Sequence, residues 1–252
     1  MQHSQRFADK VALITGAGSG IGRATALRLA AEGATVYLAD INPQTLDETV
    51  ALLPEGSRSQ VGIVDVAQPA QCRQLVAEAV DAFGRLDVLC NIAGIAMSQN
   101  LSDISEQDWN KVVGVNLNGV FYLCQAAMPH LVESGGNIVN MASSAGRTGM
   151  AYNSPYCATK AAVVMLSKAL AVEFAGKAVR VNAVCPGAVE TPLSTNFIPP
   201  EDADMELFGR VIPLLDMGQP DEIAAAVAYL ASDEARFVTG IDFAIDGGQT
   251  AG

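Results

Sequence analysis

Two side chains suited to moving a proton lie four residues apart in Tyr156-Cys-Ala-Thr-Lys160. On a helix, positions i and i+4 share one face. An ammonium beside a phenol favours the phenolate and pulls the tyrosine pKa down from its ordinary ~10 towards working pH. The pair therefore predicts a general acid/base, although Tyr and Lys at this spacing also arise as plain helical neighbours, so the surroundings must decide. Other proton chemistry is thin. The two histidines are His3, in a polar leader, and His130, near a helix end, where it reads as a surface or C-terminal helix charge. Ser/His/Asp hydrolysis thus lacks its base. The letters of a nucleophile elbow around Gly18-Ser-Gly20 arise only by overlap with a glycine-rich string.

That string, Thr15-Gly-Ala-Gly-Ser-Gly-Ile-Gly22, directly follows an apolar run and opens a helical pattern. Its glycines fall where a chain must turn sharply and let a phosphate approach the backbone, and bare N–H groups at a helix start attract an anion. An acid, Asp40, stands eighteen residues after Gly22 at the end of Thr35-Val-Tyr-Leu-Ala-Asp40. A carboxylate there accepts both ribose hydroxyls and repels a 2′-phosphate. Ser19 and Ile41 occupy the positions where a cation would serve that phosphate, so the expected cofactor is NAD, not NADP. Alone, Asp40 also reads as a helix cap before Asn42-Pro43.

These groups need a frame. Apolar runs at Lys10–Thr15, Thr35–Ala39, Gln60–Val64, Leu86–Ile92, Asn137–Ala142, Val179–Val184 and Ile241–Ile245 alternate with helical patterns, the first from Ile21 to Glu32, where Gly33 stops it. Apolarity in these runs is continuous, which predicts strands covered on both faces. The expected fold is α/β: a doubly wound (Rossmann) parallel seven-stranded sheet with helices on both faces, in one domain spanning 1–252. One segment looks inserted, Ala188–Pro213, with Pro192, Pro199-Pro200 and an acidic run from Glu201 to Glu206 that reads as a solvated helix start on a lid. Two helices, about Ser105–Leu131 and Ser154–Phe174, are apolar around more of their girth than one buried stripe needs. They mark a subunit interface, or else are sandwiched within the monomer.

Composition narrows the partners. The 252 residues are 50% hydrophobic and 17% charged, which fills a core and excludes a disordered chain. A net charge of −12 repels phosphate backbones and anionic lipid, so neither nucleic acid nor membrane is expected. Five scattered cysteines offer no zinc-clamping pairs and read as reduced thiols, and no metal is expected. With no apolar leader and no stretch long enough to cross a bilayer, the expectation is a cytoplasmic protein.

Over essentially its whole length the sequence resembles the short-chain dehydrogenases/reductases, in their NAD(P)-dependent subgroup. The resemblance rests on Thr15-Gly-x-x-x-Gly20-x-Gly22, Asp65-Val66, Asn91-Ile-Ala-Gly94, Asn116 in Val-Asn-Leu-Asn-Gly, Ser143, Tyr156-x-x-x-Lys160, and Pro186-Gly187 followed by Thr191. It implies that Tyr156 is the acid/base, that Ser143 polarises the substrate oxygen, that Lys160 lowers the tyrosine pKa and holds the ribose, and that Asn116 anchors a water relay. Family spacing selects Ser143, thirteen residues before the tyrosine, with Ser144 as the alternative. Gly16, Ser19, Gly20, Ile21 and Gly22 would cradle the dinucleotide, with Asp40 and Ile41 at the ribose. Asp65 and Val66 would meet the adenine, Asn91, Ala93 and Gly94 the adenosine ribose, and Pro186, Gly187, Val189 and Thr191 the nicotinamide. Ile92 departs from the pattern, where the family repeats asparagine. A homotetramer is the family expectation.

Substrate recognition is expected from Ile95–Ser98, Ser144–Asn153 and the 188–213 segment. Ile95, Met97, Met150, Val189, Leu193 and Phe197 suggest an apolar pocket for a secondary alcohol or ketone with a hydrophobic body. Arg147 either holds a substrate carboxylate or faces solvent or an acid. The expected activity is hydride transfer between NAD and such a substrate; the alternatives are a catalytically silent NAD-binding scaffold or sensor, and an epimerase or dehydratase with a related nucleotide domain.

Overall fold

The computed structural model describes residues 5–209 and 212–251; His3 and positions 210–211 of the inserted segment lie outside the described residues. Seven strands form one sheet: β1 (Val11–Thr15), β2 (Thr35–Asp40), β3 (Ser59–Ile63), β4 (Val88–Asn91), β5 (Asn137–Met141), β6 (Arg180–Pro186) and β7 (Asp242–Ile245). Every pairing is parallel, in the order β3-β2-β1-β4-β5-β6-β7. All seven sequence-expected strands are present, each shifted by no more than a few residues at its ends.

The strand pleat divides the core into two layers. Along β1, Val11 and Leu13 face one side, where they join Leu75, Leu123, Val163 and Val181. These come partly from α3 (Pro69–Phe83), α5 (Gly119–Ser134) and α6 (Ser154–Phe174). Ala12 and Ile14 face the other, with Leu29, Leu46, Val227 and Leu230 from α1 (Gly20–Ala31), α2 (Pro43–Ala51) and α8 (Pro220–Ala231). Period-2 alternation into two apolar layers is what holds a parallel sheet between helices. Cover fails at both margins, and here the expectation from continuous apolarity is corrected. The edge strands leave Val61 and Ile63 of β3 and Phe243 of β7 exposed, each strand being flanked by a neighbour on one side only.

The expected helix 105–131 is also corrected. It runs as α4 (Glu106–Val113), then a π-helical turn at Gly114–Asn118, then α5. Such a wide turn accommodates one extra residue and often marks a functional site. The inserted segment joins β6 to α8 and carries the short helix α7 (Met205–Gly209). Among the described residues no helix is long and apolar enough to cross a membrane.

Candidate active site

Strand order reverses direction between β1 and β4, and in an open α/β sheet the crevice at the carboxyl ends of such strands is where a ligand sits. A cavity of about 960 Å³ opens there. It is walled by the loop after β1, by the ends of β2, β4, β5 and β6, and by the inserted segment.

The β1–α1 loop is shaped by its glycines. Gly16 has φ +68°, and a side chain on it would press on the Ala93 backbone; a Cβ on Gly22 would collide with the Gly16 carbonyl. Helix α1 starts without a side-chain cap, since Ser19 makes no capping bond, so its first N–H groups face the crevice unfilled. Asp40 ends β2 beside this loop, accepting from the Gly18 N–H (3.0 Å) and the Asn42 N–H (3.1 Å). The helix cap of α2 is Asn42, not Asp40. An uncapped helix start, a glycine-rich turn and a neighbouring carboxylate together fit a pyrophosphate followed by a ribose.

Of the residues expected at the cofactor, Gly16, Ser19, Gly20, Ile21, Gly22, Asp40, Ile41, Asp65, Val66, Ala93, Gly94, Tyr156, Lys160, Pro186, Gly187, Val189 and Thr191 all line the cavity. Asn91 does not. Its side chain is buried behind the wall, donating to Asn140 Oδ1 (2.8 Å) and Cys124 Sγ (3.4 Å). On β4 the pleat turns it into the layer beneath. Asn116, in the π turn, is fully buried and also off the wall. Its amide clamps the Ile95 backbone, accepting from the N–H (2.8 Å) and donating to the carbonyl (2.9 Å). It thereby fixes the strand-end segment that passes Gly94, whose open face lies near both Asn116 Oδ1 and Lys160 Nζ.

Tyr156 and Lys160 share the buried face of α6. The Tyr156 phenol lies close enough to the Ser143 hydroxyl to feel it, and Ser143 Oγ accepts from the Ala145 N–H (3.1 Å); Ser144 instead donates to Gln249 Oε1 (3.1 Å). Lys160 Nζ lies 5.6 Å from the centre of the Tyr156 ring and donates to the Met141 carbonyl (2.8 Å). The expected pull on the phenol is corrected here. Burial pushes Tyr156 up to about 12, against a smaller downward effect of the Ser143 hydroxyl, and burial pulls Lys160 down to about 8. Desolvation opposes both charges and outweighs their mutual help at this separation. The phenol is thus held as a proton donor at neutral pH.

At the far end of the cavity Ile95, Met150, Val189, Leu193 and Phe197 line the wall, as expected; Met97 does not. Phe197 meets the Tyr156 ring edge-on, 5.3 Å between centres. Sequence reading missed Met217 and Gln249, which reach the same wall from outside the expected segments; within the expected 188–213 segment Met205 and Ile212 also line it. A 26-residue apolar-and-acidic loop gives no periodicity from which such inward positions are legible. Arg147 pairs with Asp242 (3.3 Å).

A dinucleotide cradle running into a buried Ser–Tyr–Lys cluster is the layout of a nucleotide-dependent oxidoreductase. A family model described as enoyl-(acyl carrier protein) reductase matches residues 16–250. Meso-2,3-butanediol dehydrogenase of Serratia marcescens is 42% identical over 98% of this chain and 96% of its own. The 2,5-dichloro-2,5-cyclohexadiene-1,4-diol dehydrogenase of Sphingobium indicum is 43% identical over 99% of both chains. A crystal structure of a short-chain dehydrogenase from Mycobacterium paratuberculosis bound to NAD superposes with a TM-score of 0.91, at 33% identity, over 98% of this chain and 100% of that one. The chain belongs to the short-chain dehydrogenases/reductases.

Proposed function

We propose that the protein is an NAD-dependent dehydrogenase/reductase interconverting a secondary alcohol and its ketone, with Tyr156 as general acid/base. The observation that carries this reading is the buried Tyr156 phenol, beside the Ser143 hydroxyl and flanked by Lys160, on the wall between the glycine cradle and an apolar chamber. NAD is favoured by Asp40, whose charge beside the loop opposes a 2′-phosphate, and by the NAD in a similar solved structure.

When bound, the dinucleotide supplies the hydride acceptor or donor. In reduction, Tyr156 gives its proton to the forming alkoxide oxygen; in oxidation, its phenolate removes the hydroxyl proton. Ser143 offers a second hydrogen bond to that oxygen, fixing it against the phenol. Lys160, anchored on Met141, supplies positive charge to the phenolate and a donor towards the ribose. Asn116, both amide atoms held by Ile95, keeps the floor under Lys160 in place. The apolar wall excludes water and suits a hydrophobic substrate body.

The whole chain acts as one dehydrogenase unit, in the cytoplasm, as a homotetramer. Exposed Trp109, Phe121, Met165 and Val172 along α4–α6 support assembly, since they leave apolar area in water; light scattering that reports a monomer at micromolar concentration would overturn it. Assay of a panel of secondary alcohols and ketones with NAD(H) and NADP(H), followed by NADH absorbance, tests the activity. Turnover that prefers NAD is expected. No turnover with either cofactor ends the reading.

A further inference from the structure

Beyond the reacting centre the chamber wall is apolar: Met150, Leu193, Phe197, Ile212 and Met217. Ser194 is on the wall too, but its hydroxyl turns back onto the Thr191 carbonyl (2.7 Å). Two polar side chains interrupt this surface together, Ser144 and Gln249, joined by the Ser144 Oγ–Gln249 Oε1 bond. In that arrangement Ser144 Oγ keeps lone pairs to accept with, and Gln249 Nε2 has no hydrogen-bond partner among the described residues. An acceptor and a donor side by side match the two needs of a hydroxyl; the donor alone matches a carbonyl.

Gln249 is held where it is by a rigid turn. Asp246 Oδ1 accepts from the Gly248 N–H (3.1 Å), and Oδ2 from the Thr250 N–H (3.1 Å) and hydroxyl (2.6 Å). These bonds hold the Asp246 carboxyl below its ordinary pKa despite partial burial. The Gln249 N–H closes the turn on the Asp246 carbonyl (3.0 Å). The amide packs so closely over Gly187 that a Cβ there would lie 2.9 Å from Oε1. Its partner Ser144 follows Ser143 directly, and neighbouring Cα atoms are ~3.8 Å apart. The pair lines the same cavity as Ser143 and Tyr156, so one substrate can reach both.

We infer that Ser144 and Gln249 form a second oxygen site, so that the substrate is a diol or hydroxy ketone whose second oxygen this pair receives. This rests on the dehydrogenase reading of the same cavity. Gln249 is a specificity-determining residue: leaving its amide unmatched by a plain alcohol forfeits hydrogen bonds in a partly desolvated place.

The test compares kcat/KM for 2,3-butanediol and 2-butanol, which share a carbon skeleton, with NAD. The unaltered enzyme is expected to prefer the diol by about 10–100-fold. Gln249→Met, nearly equal in shape, should lower the diol/2-butanol ratio at least about tenfold, and Ser144→Ala should lower it in the same direction. NADH binding by fluorescence verifies that each variant is folded. Equal use of the two alcohols by the unaltered enzyme overturns the second site and leaves the dehydrogenase reading standing, as does a ratio unmoved in a folded Gln249→Met. If the enzyme oxidises neither alcohol nor any member of the wider panel, the dehydrogenase reading falls and this inference with it.

Discussion

The two ends of the cavity are made differently. At the nucleotide end the wall is built around main chain: a glycine-rich turn, an uncapped helix start, and one carboxylate that bonds to the loop it faces. At the substrate end it is made of side chains contributed by four separated stretches, around residues 95, 150, 188–217 and 249. Main chain admits few alternatives, because a Cβ added in the wrong place collides. A wall of side chains is open to exchange, one residue at a time. The contrast teaches that the cofactor end defines a class of reaction, whereas the substrate end defines which member of the class.

The largest expected effect lies where the two ends meet. Tyr156→Phe keeps the ring packed under Phe197 and removes the proton, so kcat should fall about 10²–10⁴-fold while NADH still binds; near-normal turnover would end the role of the phenol. Its pH dependence has a definite sign. With the phenol near 12, the base needed for oxidation is scarce at neutral pH, and oxidation should climb about tenfold per pH unit, bending where Lys160 loses its charge near 8. Reduction uses the abundant acid form and should stay level across neutrality. A flat oxidation profile, in an assay limited by chemistry, would contradict the buried, protonated tyrosine.

Next comes a break confined to the nucleotide end. Gly22→Ala drives a methyl into the Gly16 carbonyl, and overpacking of this kind costs ~1–3 kcal/mol. NADH affinity measured by titration should weaken about 10–100-fold, and an unchanged Kd would show that the turn yields. Asp40→Ala should move the NAD/NADP ratio of kcat/KM towards NADP by about tenfold, since one close charge is removed; an unaltered ratio removes the ribose argument. The smallest effect is expected at the substrate end. Phe197→Ala deletes an edge-on ring contact worth ~0.5–1.5 kcal/mol, raising KM for apolar alcohols a few-fold, and lets water nearer the phenol, shifting the oxidation profile towards lower pH. A large loss of kcat instead would mean that this ring positions the reacting groups.

What sequence made legible follows the same division. Seven strands, the glycine turn and Asp40 were readable because each is imposed by a local rule: continuous apolarity, a turn that excludes side chains, an acid at a strand end. The direction of the Asn91 side chain was not readable, for want of strand phase. A shift of one residue exchanges the cavity for the layer below, and the pairing of Asn91 with Asn140 appears only once β4 and β5 are side by side. The direction of the Tyr156 pKa was misread for a related reason. Spacing reveals that an ammonium is near but not how completely both groups are buried, and burial decided the outcome. Gln249 had no local signature at all, since its place depends on a turn clamped by Asp246 and on the approach of Gly187.

The wide turn at Gly114–Asn118 has a mechanical meaning. Regular winding advances ~100° per residue, and a wide turn that absorbs one extra amino acid spares the rod that rotation. Trp109 upstream and Phe121 downstream therefore hold the mutual bearing that an unbroken helix one residue shorter would give them. The added amino acid alters the rod only locally, where Asn116 sits, and leaves what either half shows to its neighbours unrotated.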